Sequence, residues 1–129
     1  MEKFPILHTR SLLLLLYAVC ISAVVPTAAH AAPKAYGIAE VDVTDPVMYQ
    51  KYIAAVSPVV AHFGGKYLVR AGRVVPLEGK APTGRFIVIE FPSLAVAQRF
   101  ESSPEYRAVA PLRLRSARSR LFLVEGSLP

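Results

Sequence analysis

The sequence predicts an α+β domain: a four-stranded antiparallel sheet with its helices on one face. Three observations carry this. Apolar runs of strand length alternate with stretches of helical spacing, in the order strand, helix, strand, strand, helix, strand. The helical stretches open on Asp or Ser, twice with proline directly behind the cap. The two middle strands are separated only by a loop rich in proline and glycine.

A different segment precedes this domain. "MEKFPILHTR" carries Lys3 and Arg10 against Glu2, "LLLLLYAVCISAVV" over 12–25 is uncharged and apolar but for Ser22, and Pro26 ends it before "AHA" at 29–31. A basic start, an apolar centre and small residues at the exit are the marks of a secretory signal peptide. A stretch of fourteen residues is too short to cross a bilayer, which takes about 20. Val19 before Cys20 argues against a lipoprotein, which needs a small residue there. The expectation is cleavage after Ala31, one mature domain over 32–129, and a periplasmic or secreted protein with no membrane span. Cleavage removes Cys20, His8 and His30, leaving no cysteine and one histidine, His62. Disulfides, thiol nucleophiles and Cys- or His-rich metal sites are then excluded. The mature chain has 13 Lys and Arg against 8 Asp and Glu, a net charge of +5, read here as solubility and attraction to envelope anions rather than to nucleic acid. A domain of 98 residues buries about two-thirds of its extended surface, so a sizeable pocket is expected between layers or between subunits.

The elements follow in order. "AYGIAEVDV" (35–43) reads as a strand with Glu40 and Asp42 on a partly polar face. Asp45 caps a helix that has Pro46 at its first position. Tyr49, Tyr52, Ile53, Val56, Val60 and Phe63 then recur at three- and four-residue steps on one face. Pro58 lies inside this helix and is expected to bend it or split off its last turn. "KYLVRAGRV" (66–74) is the second strand, 76–84 a loop, and "RFIVIEF" (85–91) the third and most apolar strand. Ser93 caps a second helix with Leu94, Ala97 and Phe100 inward, and Ser103 with Pro104 restarts it. "SRLFLVEG" (119–126) is the last strand. This order is the split βαβ, ferredoxin-like arrangement.

A sheet covered on one side alternates apolar and polar residues. Here both faces are apolar: Phe86 and Val88 against Ile87, Ile89 and Phe91 in the third strand, and Phe122 and Val124 against Leu121 and Leu123 in the last. One chain supplies helices for one face only, so a second copy is expected on the other. Two such sheets would form a dimeric α+β barrel with the helices outside. A monomer would leave a greasy face in water.

Read together, "TDP…Y..Y" (44–52), "GGKYLVRAGRV" (64–74), "LEG" (77–79), "RFIVIEFPS" (85–93), "SSPEYRAVAPLR" (102–113) and "LVEG" (123–126) resemble the family called domain of unknown function 1330, within the dimeric α+β barrel superfamily. The resemblance spans the mature chain in order. It implies the same fold and dimer, and no established reaction. Related barrels include heme-degrading and cofactor-independent monooxygenases, which hold small ligands between sheet and helices. Phe100 stands where family members commonly have tryptophan, and export differs from the cytosolic placement expected of many members.

The chemistry-bearing residues each allow two readings. His62 is a general base or heme ligand, or a helix-end residue suited to the negative end of the dipole. Gly64 and Gly65 cradle an anion or cap the helix; because they follow a helix and precede a strand, the cap reading wins. Glu78, Glu90, Arg70, Arg85 and Arg113 fall on family motif positions. Glu90 sits in the most apolar strand and needs a partner, expected to be Arg70 or Arg113. The pair would bind a small anion or lock an interface. Tyr52, Tyr67 and Tyr106 line a pocket or are core aromatics with bonded hydroxyls. "RLRSARSR" (113–120) contacts anions or is a solvated helix end; it lacks the aromatics of a single-strand nucleic-acid groove. The expectation is a homodimer that binds a small anionic ligand, with no cofactor, metal or nucleic-acid partner and no assigned catalytic residue. The alternatives are a cofactor-independent monooxygenase- or isomerase-like enzyme and a purely structural dimer module.

Overall fold

The structure, a computed structural model, describes residues 1–2 and 31–128. From residue 3 to residue 30 the expected signal peptide lies outside the described residues. The elements are β1 (Ala35–Val43), α1 (Pro46–His62), β2 (Lys66–Arg70), β3 (Arg85–Phe91), α2 (Leu94–Ser102), α3 (Pro104–Ser116) and β4 (Ala117–Glu125). The four strands form one antiparallel sheet in the order β2-β3-β1-β4. Among the described residues no helix is long and apolar enough to cross a membrane.

Local chemistry accounts for the helix boundaries. Asp45 Oδ1 accepts from the Met48 N–H at 3.0 Å, and Pro46 follows at a position where a missing N–H costs nothing. Ser93 Oγ accepts from Val96 N. Ser103 is buried and serves two helices: its Oγ donates to Phe100 O at the end of α2 and accepts from Tyr106 N at the start of α3. The helix-start signals of the sequence are therefore met by bonds. α1 runs unsplit through Pro58, and α3 contains a second internal proline, Pro111. Two backbone N–H groups, of Thr44 and Asp45, donate to Ser116 O. They tie the entrance of α1 to the exit of α3.

The Gly-Gly pair is the turn that stops α1. Gly64 has φ +71, a conformation that costs other residues about 1–2 kcal/mol. Its N–H donates to Ala61 O and that of Gly65 to Val60 O. At Gly65 a Cβ would lie 2.6 Å from Val60 Cγ1 and 2.9 Å from Phe91 Cε1, so the close approach of the turn to the sheet needs glycine. His62 is the exposed last residue of the helix, its ring edge-on to Phe63.

Two boundaries differ from expectation. The second strand stops at Arg70 rather than 74, because Ala71 turns into the left-handed region at φ 59 while its N–H still bonds Phe86 O. Residues 72–80 are then exposed, with Val74 and Val75 in the loop. β4 begins at Ala117, two residues early, and runs directly from the end of α3.

The core lies between the helices and one face of the sheet. Ala35, Val41, Ile87 and Phe91 come from the strands, and Tyr49, Tyr52, Val56, Val60, Ala97, Phe100 and Tyr106 from the helices. Phe100 is its aromatic hub, with ring centroids 4.6 Å from Tyr106, 5.2 Å from Phe91 and 5.9 Å from Phe63.

Candidate functional site

Strand register decides what each face of the sheet carries. On the helix-covered face one row reads Tyr67, Ile89, Gly37, Leu123 and the next Arg70, Ile87, Ala39, Leu121. A β-bulge between Tyr67 and Val69 brings Tyr67 and Arg70 to this same face, where the Arg70 guanidinium lies 4.3 Å from the Tyr67 ring centroid. The central strand thus places glycine and alanine beneath the helices where its neighbours place isoleucine and leucine. A Cβ on Gly37 would meet atoms of Phe91, Leu123 and Ile89 no closer than 3.4 Å. A cavity of about 70 Å³ opens above these small residues.

The cavity walls combine apolar side chains with a few polar groups. Val56 and Val60 of α1, Ile87, Ile89 and Phe91 of β3 and Phe100 of α2 supply the apolar part. The polar part is four tyrosines (Tyr49, Tyr52, Tyr67, Tyr106), three arginines (Arg70, Arg85, Arg113) and one carboxyl, Glu101. Arg113 stands in the last turn of α3; its Nη1 donates to Ser119 Oγ and its Nη2 to the Tyr106 hydroxyl. Arg70 Nη2 donates to Ser57 Oγ at 2.7 Å, and that hydroxyl donates to Ile53 O. The Arg85 guanidinium lies 5.6 Å from the Tyr49 ring centroid. Among the described residues, two buried side-chain polar atoms have no hydrogen-bond partner, and both belong to this wall: Arg85 Nε and Arg113 Nε. A buried donor left unmade costs about 1–3 kcal/mol, so the packing around Arg85 and Arg113 carries a local cost in exchange for holding both guanidinium groups at the cavity.

Burial and charge set the protonation of the wall. Burial holds the Tyr52 hydroxyl far above its ordinary value, with the Tyr106 hydroxyl adding to the rise and Arg113 opposing it. Tyr49 is raised by burial against the pull of Arg85 and Arg113, and Tyr67 by burial against the pull of Ser57 and Arg70. These phenols are neutral donors at physiological pH. Burial also pushes the Glu101 carboxyl up, while Arg113 draws it partly back. With three guanidinium groups facing one carboxyl, the cavity is suited to an anion with an apolar body. Among the described residues no cluster of His, Cys, Asp and Glu could hold a metal ion.

Six of the sequence-predicted residues line this one cavity: Tyr52, Tyr67, Arg70, Arg85, Tyr106 and Arg113. Two do not. Glu78 lies in the exposed 72–80 loop. Glu90 points to the opposite face of the sheet, and its partner is neither Arg70 nor Arg113 but Lys34, at 2.5 Å. The reason is alternation: Glu90 lies between Ile89 and Phe91, which face the helices, so its own side chain cannot. Across the sheet it is registered with Tyr36 and Lys66, while Arg70 is registered with Ile87.

The reading of residues missed Tyr49 as a wall residue and Glu101 altogether. Tyr49 shares the α1 face already assigned to the core. Glu101 comes four residues after Ala97, which is fully buried, so helical spacing turns the carboxyl inward. Small residues at 35, 37 and 39, all on one side of β1, were the signal that space would open there.

The fold has known counterparts. A protein of unknown function from Rhodopseudomonas palustris is 21% identical, with 75% of this chain and 85% of that chain covered at a TM-score of 0.58. A dimeric ferredoxin-like protein of unknown function from Thermobifida fusca is 14% identical over 73% of this chain and 92% of its own, at 0.51. SnoaB, a cofactor-independent oxygenase from Streptomyces nogalater, is 12% identical over 76% and 97%, at 0.50. At these identities the likeness is one of fold, ferredoxin-like α+β. No curated protein matches the chain. The model of the domain of unknown function family DUF1330 matches residues 34–127, and the chain belongs to that family.

Proposed function

We propose that this protein is an exported homodimer that binds a small organic anion between its sheet and helices, as a binding or accessory protein. One observation carries the binding reading: three arginines and a single carboxyl, Glu101, line one largely apolar cavity, and two of those arginines each keep a buried nitrogen without a partner. Arginine there is always charged and geometrically suited to carboxylate or phosphate oxygens.

The open face of the sheet supports the dimer. Its middle row is apolar throughout, reading Val69, Val88, Ile38, Phe122, and Phe122 and Val124 are each 42% exposed. Ion pairs flank this row, Lys34 with Glu90 on one side and Arg120 with Glu40 on the other. An apolar centre with a charged rim is the composition of a protein interface, and self-association about a two-fold axis is the commonest way to cover it. The Thermobifida fusca neighbour is described as dimeric.

A second reading has one observation in its favour. Glu101 places a carboxyl among neutral phenols in an apolar cavity, a setting in which a general base could act on the bound anion. SnoaB, a cofactor-independent oxygenase, shares the fold. An enzyme of that kind, or an isomerase, would use the same wall.

Native mass spectrometry of the protein isolated from its own envelope tests the proposal. The expected species is two chains cleaved after Ala31, carrying a bound small acid. A monomer mass would remove the dimer, and an unprocessed chain the export. Binding fails if no acid co-purifies and Arg113→Ala leaves titrations with simple carboxylates unchanged.

A further inference from the structure

We infer that the cavity is a site for small organic monoanions, and that Glu101 sets the charge it accepts. This rests on the anion-binding reading and narrows it to a ligand class.

The argument is one of charge balance in a confined space. Four formally charged side chains line the cavity: Arg70, Arg85, Arg113 and Glu101. Arg70 is an exposed residue whose guanidinium already bonds Ser57 and lies over Tyr67, so water and these groups share its charge. Arg85 and Arg113 are the two with a buried, partnerless nitrogen. Glu101 is partly buried, and it makes no hydrogen bond or ion pair among those found for the described residues. Within the buried part, two cations therefore face one carboxylate, an excess of one positive charge. A monoanion brings this to neutrality. A dianion overshoots it, leaving an uncompensated negative charge against Ile87, Ile89 and Phe91, where burial of unpaired charge is costly.

Glu101 also feels the cavity as a poorly solvated place, since burial is the main influence on its carboxyl and Arg113 opposes it. Any second negative charge of the ligand would share that environment with it, the arrangement in which two carboxylates resist ionising together. Removing the Glu101 charge would leave two uncompensated cations, and the site would then suit a dianion. The ligand body must be compact and apolar, because the remaining walls are valine, isoleucine and aromatic side chains above Gly37 and Ala39.

Isobutyrate and methylmalonate provide the test. They are nearly the same size, and replacing one methyl by a carboxylate changes the charge by one unit. Titration calorimetry at about pH 8, where simple carboxylic acids are fully ionised, is expected to give at least about tenfold tighter binding of isobutyrate to the wild type, a modest demand on one charge in a partly desolvated site. In Glu101→Gln the ratio should collapse or reverse. Glu101→Asp, which keeps the charge, should keep the preference. Tighter binding of methylmalonate by the wild type, or an unchanged ratio in Glu101→Gln, would overturn the inference while leaving anion binding intact. The wild-type ratio decides by itself if the variant does not fold. Failure of the wild type to bind either acid overturns this inference and the anion-binding reading together.

Discussion

The helix-covered and open faces of the sheet are made by the same four strands, yet they put their bulk and their charge in opposite places. On the covered face the centre is small, Gly37 and Ala39, and the arginines stand around the resulting space with two nitrogens unpaired. On the open face the centre is large, Ile38 between Val88 and Phe122, and two ion pairs, Lys34–Glu90 and Arg120–Glu40, stand at its margins. A face with a hollow centre and unpaired cations is complementary to something small and anionic. A face with a filled apolar centre and ion pairs at its rim is complementary to another apolar surface. One strand, β1, separates the two roles: its odd-numbered positions make room and its even-numbered positions fill it.

Three substitutions would break or sharpen this contrast. Phe91→Ala strikes the covered face at its most enclosed large residue, 1% exposed. Loss of a buried phenylalanine costs about 3–5 kcal/mol, and chemical denaturation should show it as a large fall in the midpoint. A much smaller loss would mean the cavity already leaves this ring loosely packed.

Phe122→Glu strikes the open face. It should weaken self-association by about 2 kcal/mol or more, as loss of a central aromatic does at an interface, and sedimentation should show monomers at concentrations where the wild type is dimeric. The variant should remain folded, because Phe122 faces away from the helices. If the wild type were monomeric and the variant identical to it, the assignment of the open face would fall.

Glu101→Gln is the smallest and tests a sign. The folded-state carboxyl is held above its ordinary value, chiefly by burial, so folding favours its protonated form. That contribution is complete below the unfolded-state value and is lost as pH rises through the folded-state value. At neutral pH the carboxylate is therefore a cost to the fold. The variant should melt a few degrees higher than wild type at neutral pH, with the gap closing as pH falls through the carboxyl range. A variant that melts lower would show that the attraction of Arg113 outweighs desolvation.

Much of the fold was legible because its signals are local. Asp45 with Pro46, Ser93, and Ser103 with Pro104 each announce a helix start, and each side chain makes the capping bond. The same locality explains a failure. Val74 read as the end of a continuing strand, but the turn at Ala71 removes it from the sheet; Gly72 beside that turn was a local mark of the break that the apolar run outweighed. The candidate site was legible in its members more than in its connections. Tyr52, Tyr67, Arg70, Arg85, Tyr106 and Arg113 were all singled out, and the structure gathers them. The expected Arg–Glu pair did not form, although the alternation of Glu90 with Ile89 and Phe91 already placed its side chain on the other face.

By itself, then, the sequence determined the order of the elements, their caps, the Gly64 turn and the apolarity of both sheet faces, since each follows from spacing within a few residues. The tertiary structure alone decided which charges meet. Glu90 finds Lys34 at a separation of 56 residues, and Arg70 is carried to the helix side by a bulge. Arg85 and Arg113 come to one wall from a strand and a helix. Such meetings depend on strand register and layer packing, which bring together side chains that no local pattern connects.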